Sequence, residues 1–254
     1  MAGRQPRWLL IGNSRWHWAV TDGDNGGGGS SGAGLRFVHL PSPASAVEPP
    51  LAWAAVGPVP PEAALSDAAR LKLDDVPLAG SPPWLGIDRA LAGWWAHRLV
   101  GGPVLVADAG TVLSLTRVDG QGRFAGGRLM AGAALQLTAM GAGTAALPSL
   151  DGAPEAGGED WPLATAAAMQ RGVLEGLAAA VREAGRQARI GARDCPIVLT
   201  GGDGPTLMPL LRRWPELGGN ALRHHPELCL EALVALRPAG PEGAAQPRPR
   251  SVRI

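Results

Sequence analysis

A strand, a glycine turn and a second strand occur twice in this chain, about 98 residues apart, and that repeat restricts the fold more than any other feature. Residues 9–23 (LLIGNSRWHWAVTDG) and 107–120 (ADAGTVLSLTRVDG) each read as a buried strand, a turn carrying glycine, a strand of alternating polarity and a closing Asp-Gly. A third strand follows each time, at 35–40 and after the DGQG turn inside the stretch 103–132. Duplicated strand units, each followed by helices, predict an α/β protein of two lobes, with mixed β-sheets flanked by helices and a cleft between them. Ligands of such folds bind at the carboxyl ends of the strands.

The expected lobes are 1–102 and 103–237, followed by a Pro/Gly/Arg-rich tail at 238–254 that is too polar to order itself. Residues 22–34 are a Gly/Ser-rich low-complexity stretch, expected as a flexible surface loop. A further buried strand is expected at 51–56, then a short helix at 62–69. Residues 86–102 (GIDRALAGWWAHRLVGG) space their apolar side chains for a helix that Gly101-Gly102 stops. Helices are also expected at 132–147, 163–190, 205–213 and 226–236, and a strand at 196–199 runs into Thr200-Gly201-Gly202.

Composition narrows the chemistry. A formal net charge of +1 with scattered arginines gives no nucleic-acid footprint and no anionic-membrane partner, which favours a small-molecule ligand. No apolar run reaches the roughly 18 residues of a membrane span and residues 1–6 hold no signal segment, so a cytoplasmic location is expected. Cys195 and Cys229 are too few for a disulfide framework. Lys72 is the only lysine and is followed by Leu73, which excludes a GK[ST] phosphate loop, and DFG and HRD sequences are missing. Phosphoryl transfer in this chain would have to use backbone amides, carboxylates, metal and arginine.

Asp108 ends an apolar strand just before Gly110 and Thr111, a place to hold a cation or phosphate, or an ordinary Asx turn. Asp88 at a helix start reads as an N-cap or, with Arg89 beside it, as one half of a site for a hydroxylated carboxylate: the guanidinium takes the carboxylate, the aspartate the hydroxyl proton. Thr200-Gly201-Gly202 is either a nucleotide-contacting turn or a plain connection, and Thr165 is by default the N-cap of the long helix. The nine tryptophans supply nearly all the aromatic bulk of the core, and the five histidines receive no role.

In order along the chain, IGNSRWHWA (11–19), AAVGPVP (54–60), LGIDRALA (85–92), ADAGTVLSLTRVDGQGRFAGGRLMAG (107–132), LTAMGAGTAALP (137–148), TAAAMQRG (165–172) and LTGGDG (199–204) resemble the type III pantothenate kinases of the acetate and sugar kinase, Hsp70 and actin superfamily. The spacing of 20 from Asp88 to Asp108 fits the same pattern. The resemblance implies two ribonuclease-H-like, actin-like ATPase lobes and ATP-dependent phosphorylation of pantothenate to 4'-phosphopantothenate, the first step toward coenzyme A. It implies that Gly86, Ile87, Asp88 and Arg89 hold pantothenate, with Asp88 as base, and that Thr165 also contacts it. Gly12, Asn13, Ser14 and Thr111 would meet the ATP phosphates, Thr200, Gly201 and Gly202 would lie near the adenosine, and Asp108 would bind potassium or ammonium. The implied cofactors are ATP with Mg²⁺ and a monovalent cation, and the implied assembly is a homodimer whose interface helps build the pantothenate pocket.

Two positions depart from the pattern. Leu10 stands where the family's first turn carries an acid, and Ala79 falls near the place of a pocket tyrosine in a chain without tyrosine, leaving Trp84 as a candidate wall. Leu10 keeps open a catalytically silent nucleotide-binding relative with a regulatory role; a kinase for another small hydroxylated compound is the other alternative.

Overall fold

The computed structural model describes residues 5–22, 34–41, 47–150, 152, 154 and 157–239. The expected Gly loop, apart from its two ends, and most of the expected tail lie outside these residues. In chain order the elements are β1 (Arg7–Ile11), β2 (Trp16–Thr21), β3 (Leu35–Leu40), β4 (Ala52–Ala55), α1 (Ile87–Val100), β5 (Val104–Ala109), β6 (Val112–Val118) and β7 (Phe124–Ala131). They continue with α2 (Ala133–Gly143), α3 (Thr165–Gly191), β8 (Ile197–Thr200), α4 (Gly204–Leu211), β9 (Leu222–His224) and α5 (Leu228–Leu236). Among the described residues no helix is long and apolar enough to cross a membrane.

The described parts of 1–77, 81–95 and 227–254 form one compact unit, and 78–80 with 96–226 form a second. This division differs from the expected lobes: it falls inside α1 rather than after residue 102, and α5 belongs to the first unit. The reason is packing, since α5 lies on β1, β2 and β4.

In the first unit the sheet order is β3-β2-β1-β4, with β1 antiparallel to β2 and parallel to β4. Alternation puts Leu9, Ile11, Trp16, Trp18, Val20 and Trp53 into one core. The large indoles are affordable there because their N–H groups are used: Trp53 Nε1 donates to the Ser66 carbonyl at 2.8 Å and, elsewhere in the unit, Trp8 Nε1 to that of Arg237 at 2.6 Å. The short helix expected at 62–69 is replaced by two single 3₁₀ turns, Pro61–Ala63 and Asp67–Ala69. Ala64 between them adopts a left-handed conformation (φ 50°), which no continuing helix allows.

The second unit has the sheet order β7-β6-β5-β8-β9, with β5 antiparallel to β6 and parallel to β8. This is the ribonuclease-H-like order, and β3-β2-β1-β4 repeats its first four positions, so the duplication read from the sequence is present in three dimensions. Helix α3 lays Met169, Val173, Leu177, Val181, Ala184 and Ala188 against Leu105, Ala107, Leu113, Leu115, Ile197 and Leu199. Gly185 lets the helix approach closely, since a Cβ there would come within 2.5 Å of Ile197 Cδ1. Helix α2 ends at Gly143, short of the expected 147, because Thr144 turns to an extended conformation. Strand β9, three residues parallel to β8, carries no strand signature of its own and forms only because β8 offers an edge.

Leu177 is buried against both the sheet and its own helix neighbours, whereas Ile190 is 75% exposed. Leu177→Ala is expected to cost about 3 kcal/mol and Ile190→Ala less than about 0.5 kcal/mol, measured by urea unfolding followed by circular dichroism.

Candidate functional site

In the first unit, Gly12, Asn13 and Ser14 form the turn between β1 and β2, closed by Gly12 N–H donating to the Arg15 carbonyl at 2.9 Å. Asn13 and Ser14 are exposed. Gly57, just past β4, presses on this turn: a Cβ there would lie 2.4 Å from the Gly12 carbonyl oxygen. Leu10 is buried at the penultimate position of β1, opposite His17 on β2. His17 Nδ1 lies 2.8 Å from His39 Nδ1, and His39 Nε2 lies 3.2 Å from Glu227 Oε1. Burial, then the charges of His39 and Arg15, lower the His17 pKa to about 4, so the ring is neutral near neutral pH. The pairing of these histidines was invisible in the sequence because it depends on the β2–β3 register across a 22-residue separation.

Gly86, Ile87, Asp88 and Arg89 open α1. Asp88 is the second residue of the helix rather than its N-cap. Its carboxylate folds back over Gly86, where a Cβ would stand 2.5 Å from Asp88 Oδ1. That oxygen is buried without a hydrogen-bond partner among the described residues. Burial raises the Asp88 pKa, against the opposing pull of the Arg89 backbone N–H and guanidinium. Arg89 is only 9% exposed, and burial lowers its pKa while Asp88 raises it. A cavity of about 460 Å³ adjoins Gly86 and Ile87 and is lined also by Val56, Arg70, Leu71 and Lys72. That Arg70 and Lys72, two cations, share this cavity with Gly86 and Ile87 was not legible in the sequence, because their 3₁₀ surroundings give no pattern. Trp84 is 71% exposed. Ala79 pairs with Arg123 inside the second unit.

In the second unit the structure brings Asp108, Thr111, Gly201 and Gly202 to the carboxyl ends of β5 and β8. Asp108 occupies the penultimate position of β5, opposite Thr200. Gly201 has a left-handed backbone (φ +87°), and a Cβ would come within 2.3 Å of the Ala109 carbonyl oxygen and 2.5 Å of Asp108 Oδ1, so only glycine fits. Asp203 N–H donates to the same carbonyl at 2.8 Å. Thr111 is exposed on the β5–β6 turn. The Thr200 side chain is 2% exposed and its hydroxyl donates to the Pro226 carbonyl at 3.2 Å, so this position presents backbone rather than a free hydroxyl. Asp203 was not singled out from the sequence; burial raises its pKa while the Ala133 N–H opposes the rise.

Thr165 is the first residue of α3 and is exposed; the N-cap is Ala164, with no side-chain capping bond, which corrects the expected capping role. A cavity of about 380 Å³ nearby is lined by Pro162, Ala164, Ala167, Gln170 and Arg171. Arg171 is buried and paired with Glu175 at 2.8 Å and with Asp160.

Among the described residues no group of three His, Cys, Asp or Glu side chains is placed to hold a metal by itself. A divalent ion that arrives on nucleotide phosphates needs only one or two carboxylates from the protein, so the lack of such a group among the described residues is compatible with one.

Residues 62–187 match the family model described as type III pantothenate kinase. A type III pantothenate kinase from Synechococcus elongatus is 37% identical over 245 residues, covering 91% of this chain and 96% of that protein. Two solved structures share the fold at low identity. One, a Campylobacter jejuni protein assigned to a Baf family of transcriptional activators, has a TM-score of 0.55 at 16% identity and covers 91% of this chain and 96% of its own. The other, a 2-dehydro-3-deoxygalactonokinase-type protein from Sinorhizobium meliloti, has a TM-score of 0.51 at 15% identity and covers 98% and 99%. With the duplicated ribonuclease-H-like sheets and the match to curated relatives along nearly its whole length, the chain belongs to the type III pantothenate kinase family.

Proposed function

We propose that this protein transfers the terminal phosphoryl group of ATP to the primary hydroxyl of pantothenate, giving 4'-phosphopantothenate and ADP at the start of coenzyme A synthesis. The observation that carries the residue assignment is Asp88: a buried, unpartnered carboxylate oxygen with a raised pKa, beside buried Arg89 at a helix start. A base needs this combination, because a carboxylate stripped of water accepts a proton more readily. Asp88 takes the hydroxyl proton as the substrate oxygen attacks the γ-phosphorus and the bond to the β–γ bridging oxygen breaks. Arg89 anchors the pantothenate carboxylate, Gly86 and Ile87 form the adjoining wall, and Thr165 adds a contact. The turn Gly12-Asn13-Ser14, with Thr111, faces the phosphates; Thr200, Gly201 and Gly202 lie at the adenosine, with Gly201 and Gly202 offering backbone. Mg²⁺ carried by ATP would neutralise phosphate charge during transfer. Asp108 is assigned the monovalent cation, potassium or ammonium.

The reading includes a cytoplasmic homodimer. Exposed Trp161 (90%) and Leu163 (99%), two large apolar side chains just before α3, support an interface on the second unit. Leu10 favours one other reading, a silent relative that binds nucleotide without turning it over.

Incubation with ATP, Mg²⁺, potassium and pantothenate is expected to give 4'-phosphopantothenate, detected by mass spectrometry; no product together with no ATP-dependent thermal shift rejects the kinase. Nucleotide binding without turnover selects the silent relative.

Asp88→Asn is expected to lower kcat by roughly 10²- to 10⁴-fold without lowering thermal stability. The folded pKa of Asp88 lies above its unfolded value, so its ionised form costs stability at pH above that pKa, and the neutral amide removes the cost. In the wild type, kcat/KM should rise with pH through the same raised pKa, since that ratio reports the free enzyme. A destabilised Asp88→Asn protein with unchanged kcat rejects the assignment.

A further inference from the structure

Three side chains of the first unit form a chain that ends beside the phosphate-facing turn. His17 on β2 and His39 on β3 are direct partners in register. Glu227, the residue before α5, meets His39 from the other side. The carboxylate can only accept, so His39 Nε2 carries the proton of the 3.2 Å contact. A neutral His39 then has a bare Nδ1, which accepts from His17 Nδ1–H at 2.8 Å. That separation is a hydrogen bond and leaves no room for a metal ion between the rings. It follows that His17 Nε2 holds a lone pair.

That nitrogen has no hydrogen-bond partner among the described residues and lies 3.2 Å from where a Cβ on Gly12 would stand. It is therefore placed directly against the turn Gly12-Asn13-Ser14, and on the strand position facing Leu10. We propose that His17 supplies the acceptor that Leu10 lacks: Nε2 takes a hydrogen bond from a water on the divalent ion of bound ATP, with His39 and Glu227 as positioning residues. A carboxylate and a neutral imidazole with a bare nitrogen are both acceptors, and the Glu227 charge passed through two hydrogen-bonded rings strengthens the second. The depressed His17 pKa, to about 4, keeps the ring neutral, and the hydrogen bond to neutral His39 is what leaves the lone pair on Nε2. The titratable and charged groups facing His17 are His39 and Glu227 along the chain and Arg15 on the turn, and the assignment of the bare nitrogen belongs to the state in which His39 is neutral. The proposal rests on the chain's use of ATP with a divalent metal, and is independent of which hydroxyl receives the phosphate.

The test is calorimetric titration of the full-length protein with ATP, once with Mg²⁺ and once with EDTA, in the absence of pantothenate. His17→Ala is expected to weaken Mg²⁺·ATP binding by about tenfold while leaving metal-free ATP binding unchanged, the size of a hydrogen bond in a charged setting. Adding Leu10→Asp to His17→Ala restores the metal-dependent part. Should His17→Ala fail to fold by circular dichroism, His39→Gln carries the test with a metal-specific loss of roughly threefold. Equal losses with and without Mg²⁺, no loss at all, or a wild type that binds ATP identically in both buffers each overturn the proposal. Metal-dependent binding controlled by His17 supports it even where pantothenate is not phosphorylated, so its failure and that of the substrate assignment remain distinguishable.

Discussion

The parallel pairing of the first strand of each unit with its fourth is the constraint on which the candidate site depends. β1 runs beside β4 and β5 beside β8, so in each unit the hairpin turn and the end of the parallel strand arrive at the same edge. The contact is too close for side chains: Gly57 meets the Gly12 carbonyl and Gly201 meets the Ala109 carbonyl, each at a distance that a Cβ would violate. Glycine at those two places is what allows the backbones to approach so closely. The backbone geometry of both turns is thus written in by sheet topology, before any charged side chain is considered.

On that shared frame the two units carry unequal chemistry. The penultimate position of β5 is Asp108 and that of β1 is the buried Leu10. Leu10 is buried, and the polar groups next to its place in the sheet start at its cross-strand partner His17, which is linked to His39 on β3 and through it to Glu227 before α5. Asp88 takes the opposite course, keeping a carboxylate oxygen buried and unpartnered beside Arg89. Its ionised form is disfavoured by that burial, which is why its pKa is raised.

Much of the fold was legible in local pattern. The repeat, the long amphipathic α3 and the strand ends at Asp108 and Thr200 follow from alternation, i+4 spacing and glycine placement, all properties of a dozen neighbouring residues. What escaped was non-local. β9 exists because β8 has a free edge, and α5 belongs to the first unit because β1, β2 and β4 offer it an apolar surface. Thr165 looked like a cap and is one residue inside the helix; nothing local announces that the Thr200 hydroxyl bonds to Pro226, 26 residues away.

The sequence by itself determined the duplicated α/β architecture, the order of its motifs and the residue types at the strand ends, because hydrophobic period and turn chemistry act over short stretches. Only the tertiary structure decided that Asp88 is desolvated over Gly86, that Gly201 must have no side chain, and that His17, His39 and Glu227 form one hydrogen-bonded chain. Burial, register and close backbone approach are relations between residues distant in the chain, and they exist only once the sheets have formed.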